Sequence, residues 1–191
     1  MLGLTQLSGF GAGGASSGTV QFGLLGSANS ITSDTTLAAT FTGTSGRLLV
    51  VVCAADNNEA SGGHSFAGLT LTSGGTGGAT AIETAYDPGA AAAGAGLAVY
   101  TVLQTVSGSN TATITFSPAT TSKAMRVYEV WHTGDAAVTA VGAVTSGGTG
   151  TEPSVTATSV QAADLLLAAI SIEALAGAND ATGWLRGSNT I

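Results

Sequence analysis

The sequence predicts an all-β protein: an antiparallel two-sheet β-sandwich, of jelly-roll or Ig-like type, with an extended Gly-rich N-terminal arm. Three observations predict it. Short runs alternate apolar and polar residues with a period of two, the pattern of half-buried strands. Turn signals rich in Gly, Ser and Pro, such as "FTGTSGR", "VSGSN" and "FSPATTS", separate these runs at short, fairly regular intervals. The stretch with the most helical composition, "PGAAAAGAG", is broken by glycines that cost about 1 kcal/mol each inside a helix, so it reads as a loop.

In chain order, residues 1–18, "MLGLTQLSGFGAGGASSG", form the arm and residues 19–191 a single sandwich domain. The arm sets Leu2, Leu4, Leu7 and Phe10 among glycine and polar residues and has too little apolar surface to fold alone. It is expected to dock by laying those four side chains into a neighbour's groove or along an open sheet edge. "TTLAATF" alternates weakly, and "GLTLTSGG" sets Leu69 and Leu71 against Thr70 and Thr72. "NTATITF" puts Ala112, Ile114 and Phe116 on one face and Thr111, Thr113 and Thr115 on the other. "PSVTATS" repeats the pattern weakly. "RLLVVVCAA" from Arg47 and "DLLLAAISI" from Asp164 are apolar on both faces, so each is expected to be a central strand or to meet a partner with its outer face. The hexapeptide "TSGGTG" occurs at Thr72 and again at Thr145, a reused turn rather than a repeat array.

Charged residues make up 8% of the chain, against about 25% in an average soluble domain. The surface must therefore be built from Thr, Ser, Gly, Ala and Asn. The net charge is -7, and the four cations Arg47, Lys123, Arg126 and Arg186 are too scattered to bind phosphates by counterion release, which argues against nucleic acid as a partner. Cys53, the sole cysteine, sits in an apolar run and reads as a small core residue. No apolar stretch approaches the roughly 18 residues of a membrane span. The opening leucines lack the basic flank and continuous apolar core of an export signal, so synthesis and first folding are expected in the cytoplasm. The composition nevertheless looks like that of an extracellular surface protein.

Motifs that could carry chemistry are few. "GFGAGG" at residues 9–14 matches a dinucleotide fingerprint, but "ASSGT" follows where a helix would have to begin. "GASSG" at residues 14–18 matches a nucleophile elbow, but a Gly-rich arm cannot hold Ser16 rigidly. The densest polar cluster, Asp56, Asn57, Asn58, Glu59 and His64, has hard ligands without an EF-hand spacing and reads as a solvated loop. His132, between Trp131 and Asp135 at a strand end, reads as a hydrogen-bonded structural residue. Trp131, Trp184 and Tyr86 remain the candidates for a stacking platform. Glu129 alternates with Val127 and Trp131 and is the acid that points toward a core face, with no evident partner for acid–base work. No catalytic residue, metal or cofactor is expected.

The run "GRLLVVVCAAD", "HSFAGLTLTSGGT", "LAVYTVL", "NTATITF", "AMRVYEVWHTGD", "AVGAVTSGGTGTEPSVTATS" and "DLLLAAISI", over residues 20–186, resembles in strand order and turn style the β-sandwich structural proteins of tailed bacteriophage virions. That resemblance implies a non-enzymatic virion component: a head decoration, spike, tail or fibre protein. It would work as a homo-oligomer among other virion proteins, with a host-surface glycan as a possible contact. An extracellular adhesion or carbohydrate-binding module is the alternative of a different class, and an enzyme on a β scaffold a third.

Overall fold

A computed structural model describes residues 2–12, 18–56, 65–86, 94–134, 137–148, 165–172 and 184–188. These residues hold twelve strands and no helix: β1 (Leu2–Ala12), β2 (Val20–Ser30), β3 (Asp34–Gly43), β4 (Leu48–Asp56), β5 (Phe66–Leu71), β6 (Gly75–Tyr86), β7 (Ala95–Gln104), β8 (Gly108–Thr120), β9 (Lys123–His132), β10 (Val138–Gly148), β11 (Leu165–Ile172) and β12 (Trp184–Ser188).

The alternation seen in the sequence becomes burial along each strand. In β8, Ala112, Ile114 and Phe116 are buried while Thr111, Thr113 and Thr115 are half-exposed. In β3, Leu37, Ala39 and Phe41 are buried between exposed neighbours. Leu69 and Leu71 of β5 pack against the core from its rim. β4 differs, because Leu48 through Ala55 are all buried. A strand with both faces covered must lie in a middle layer.

Pairing supplies that layer. β2 pairs with β9, β3 with β8 and β4 with β7, all antiparallel, as if one long hairpin were wound into a roll. Winding sends alternate pairs to alternate sheets: β4 joins β9, giving the order β2-β9-β4-β7, while β5 joins β8, giving β3-β8-β5. This nested arrangement is the jelly-roll wrap. At the tip of the hairpin β6 pairs with β7, which makes the first sheet five-stranded. At the bulge between Leu24 and Gly26, β2 turns toward β3, and a side chain at Gly26 would collide with the Thr40 carbonyl oxygen. Glycine is what allows the two sheets to meet at that seam.

A third sheet, β10-β1-β11-β12, lies on the other face of the five-stranded sheet. Two apolar clusters result. Leu49, Val51, Cys53 and Ala55 of β4 meet Phe41, Ile114 and Phe116 of the three-stranded sheet. Leu48, Val50, Val52 and Ala54 meet Val138, Leu165, Leu167 and Ala169 of the four-stranded sheet.

The antiparallel sandwich is therefore present, with one layer more than the two sheets expected. The reason is the two-faced apolarity of β4, which needs a cover on each side, and this chain supplies both covers itself. The opening segment is extended, as expected, but the edges it fills are its own chain's: Leu2–Ala12 is laddered to β10 on one side and β11 on the other. Leu2 stands opposite Gly148 and Ile172, Leu4 opposite Ser146 and Ile170, Leu7 opposite Ala143 and Leu167, and Phe10 opposite Ala140 and Leu165. "DLLLAAISI" becomes β11 in this outer sheet, not a strand of the middle layer. "PSVTATS" and most of "PGAAAAGAG" lie outside the described residues.

Val50 and Val51 distinguish three layers from two. Val50→Ala and Val51→Ala should each lower the unfolding free energy by about 2 kcal/mol, read by urea denaturation. In a two-layer sandwich, one of the pair would be nearly neutral.

Candidate functional site

Polar groups that enter the fold gather at its two ends. β9 carries a buried charged residue toward each: Lys123 at its start and Glu129 near its finish. Both share a face with Met125 and Val127, whose side chains belong to the core between the five- and three-stranded sheets. Strand alternation thus drives two charges into the interior, where each must be paired.

Glu129 is 3% exposed. Its Oε1 accepts hydrogen bonds from the Thr44 backbone N–H at 2.7 Å and from Gln104 Nε2 at 2.9 Å, and its Oε2 accepts from the Arg47 guanidinium at 2.7 Å. Arg47 in turn lies over the Trp131 ring, 4.5 Å from its centroid. These residues come from β7, β9 and the turn between β3 and β4, so the node ties that turn to the middle sheet. Among the described residues Gln104 Oε1 has no hydrogen-bond partner, and a Cβ at Gly43 would coincide with it, so a larger residue there would displace the amide.

At the other end, the Lys123 Nζ is fully enclosed and donates to the carbonyls of Thr32 and Thr120, both at 2.6 Å. The half-exposed Asp34 carboxylate lies 3.8 Å away. The ammonium thereby joins the β2–β3 turn to the β8–β9 turn. Asp56, at the end of β4, is held by its backbone N–H on the Ser122 carbonyl at 3.0 Å. Burial raises its carboxyl above the usual aspartate range, against smaller opposing pulls from Thr121, Ser122 and Lys123.

The structure separates the residues that the sequence brings forward. Glu129, expected to lack a partner, has three. Its carboxylate is thereby held within the fold by three hydrogen bonds. Trp131 carries Arg47 on its ring and lies beside Gly23, so one face of the ring is already used within the protein. His132 is buried, and its Nδ1 accepts from the Gly134 N–H at 3.0 Å, as a structural histidine does. Cys53 is enclosed in the core, and burial pushes its thiol far up, which keeps it in the inert thiol form. Of the polar loop, Asp56 is described, while Asn57, Asn58, Glu59 and His64 lie outside the described residues, as do Ser16 and Asp135. Tyr86 ends β6, an edge strand of the five-stranded sheet, and Trp184 begins β12, an edge strand of the four-stranded sheet. Among the described residues no group of three or more His, Cys, Asp or Glu comes together to hold a metal ion, and no helix is long and apolar enough to cross a membrane.

Sequence reading passed over Lys123 and Gln104. The signal for Lys123 is its even spacing from Met125 and Val127, which places it on the core face. Gln104 carries the same signal relative to Val102 and Tyr100. No protein-family model, curated protein or solved structure matches the chain.

Removing Glu129 strands three donors. Glu129→Ala should cost about 3 kcal/mol or more, and Arg47→Ala less, because the Arg47 side chain is 35% exposed and water can replace it. Chemical denaturation of both variants checks the order. Asp56 sets a pH dependence of known sign. Because its native carboxyl binds a proton more tightly than in the unfolded chain, its contribution to stability falls as pH rises from the ordinary aspartate range through the native value. Asp56→Asn should therefore gain stability relative to the parent on going from pH 3 to pH 7. A constant difference between the two proteins would contradict this.

Proposed function

We propose that this chain is a non-enzymatic structural component of a tailed-phage virion, exposed on the particle surface as a decoration, spike, tail or fibre protein. The observation that carries the proposal is how the described ionisable side chains are used. Glu129, Arg47, Lys123 and His132 hold strands and turns in place, and none is gathered at an open site. What faces outward on the three-stranded sheet is Thr36, Ala38, Thr40 and Thr42 of β3 beside Thr111, Thr113 and Thr115 of β8, an uncharged and hydroxylated surface. A rigid roll with inert polar faces suits a part that must persist outside cells. The jelly roll is also a frequent architecture of capsid and lectin domains, an association of fold and not a proof of role.

The lectin side of that association keeps an adhesion or carbohydrate-binding module as the second reading. The engagement of Trp131 by Arg47 weighs against it, since sugar stacking needs a vacant ring face.

Mass spectrometry of purified particles that package the encoding genome should recover peptides of this chain at a stoichiometry above trace. Its absence from particles, combined with retention on an immobilised glycan, would replace the virion reading with the second one.

A further inference from the structure

We infer that the outer edge of β2 is an assembly surface that pairs with β2 of a second copy of this chain, joining two five-stranded sheets into one. The inference rests on the reading of the protein as an assembly component and names the surface involved. Among the described residues β2 is the terminal strand of its sheet and is laddered on one side, to β9. Its eleven residues, "VQFGLLGSANS", contain no charge and no proline, the usual guards of an exposed edge. The bulge between Leu24 and Gly26 divides it. Beyond the bulge, Leu25 and Ala28 pack on the core and Gly26 abuts β3, so that half is occupied. The half from Val20 to Leu24 has no strand on its outer side among the described residues.

That open half bears an apolar ledge. Phe22 and Leu24 are 37% and 52% exposed, although their partners across β9, Val130 and Tyr128, are 2% and 8% exposed. The four-stranded sheet thus covers β9 and Val20 at the start of β2 but leaves Phe22 and Leu24 open. The Phe22 ring is stacked at a tilt on Tyr128, centroids 6.2 Å apart, so the ledge is preformed. A free strand edge and an adjacent apolar ledge are the two parts that strand addition uses, one for main-chain bonds and the other for side-chain contact.

A second copy supplies both parts at once. Antiparallel pairing of Val20–Leu24 with itself has the two-fold symmetry of a closed, isologous contact. Charge favours that occupant. The paired segment is uncharged, so two chains of net charge -7 meet there without apposed acids. The exposed cation nearest the ledge on β9 is Arg126, opposite Ser27, and antiparallel pairing sets the two copies of it at opposite ends of the contact, so that they do not repel across it.

Sedimentation velocity on the full chain over a range of concentrations is the test. The parent should dimerise reversibly. Leu24→Lys and Phe22→Lys should each raise the dimer dissociation constant on the order of a hundredfold, since each change acts twice in a two-fold contact. Ile31→Lys, at a 75% exposed site off the ledge, should leave the constant unchanged. Unaltered thermal melts would show that the lysine variants remain folded. A parent that stays monomeric throughout, or a Leu24→Lys variant that dimerises like the parent, overturns the inference. Either result leaves the virion reading standing, because recovery from particles is measured separately.

Discussion

The constraint on which the structure depends is that β4 is apolar on both faces. A strand with Val50 on one side and Val51 on the other, both fully buried, has to be covered twice. The jelly-roll wrap provides one cover in the three-stranded sheet. The second comes from strands outside the eight-strand roll, β1 before it and β10 to β12 after it. The two ends of the sequence are thereby brought into one sheet, with the first strand laddered between two of the last. At about 25 cal/mol per Å² of apolar surface removed from water, covering the second face is a large stabilising contribution for a chain that can form few ionic contacts.

Scarcity of charge shapes the rest. The chain has four Lys and Arg, and two of the described cations are placed where they decide something. Arg47 neutralises the buried Glu129 and covers Trp131, while Lys123 ties two turns together from inside. Arg126 stands on an exposed strand face. Buried ionic groups of this kind cost much to break and little to leave intact. They fix where the turns sit at each end of the roll, and the surfaces remain to hydroxyls and methyls. Such surfaces repel weakly, and the open half of β2 carries neither charge nor proline.

Much of this architecture is legible in the residues. The period-two pattern of "NTATITF" places Ile114 and Phe116 in the core, and the two-faced run at Leu48 to Ala55 announces a middle layer. What the pattern cannot supply is the identity of the second cover. Residues 2–12 are rich in glycine and short polar side chains, so they look like an arm when read alone. Their strand character comes from ladders to β10 and β11, which lie more than a hundred residues away. The partners of Glu129 are hidden for the same reason. Thr44 and Gln104 reach it only after β4, β7 and β9 have been brought side by side.

Hydrogen exchange of backbone amides in the native state is the most direct measurement of the central claim that the opening segment is an interior strand of the layer closing the middle sheet. The account predicts slow exchange for amides of residues 4–7, with opening free energies close to those of Val50 to Cys53 in β4. Exchange of residues 4–7 at the rate of an unstructured chain, while β4 stays protected, would contradict it.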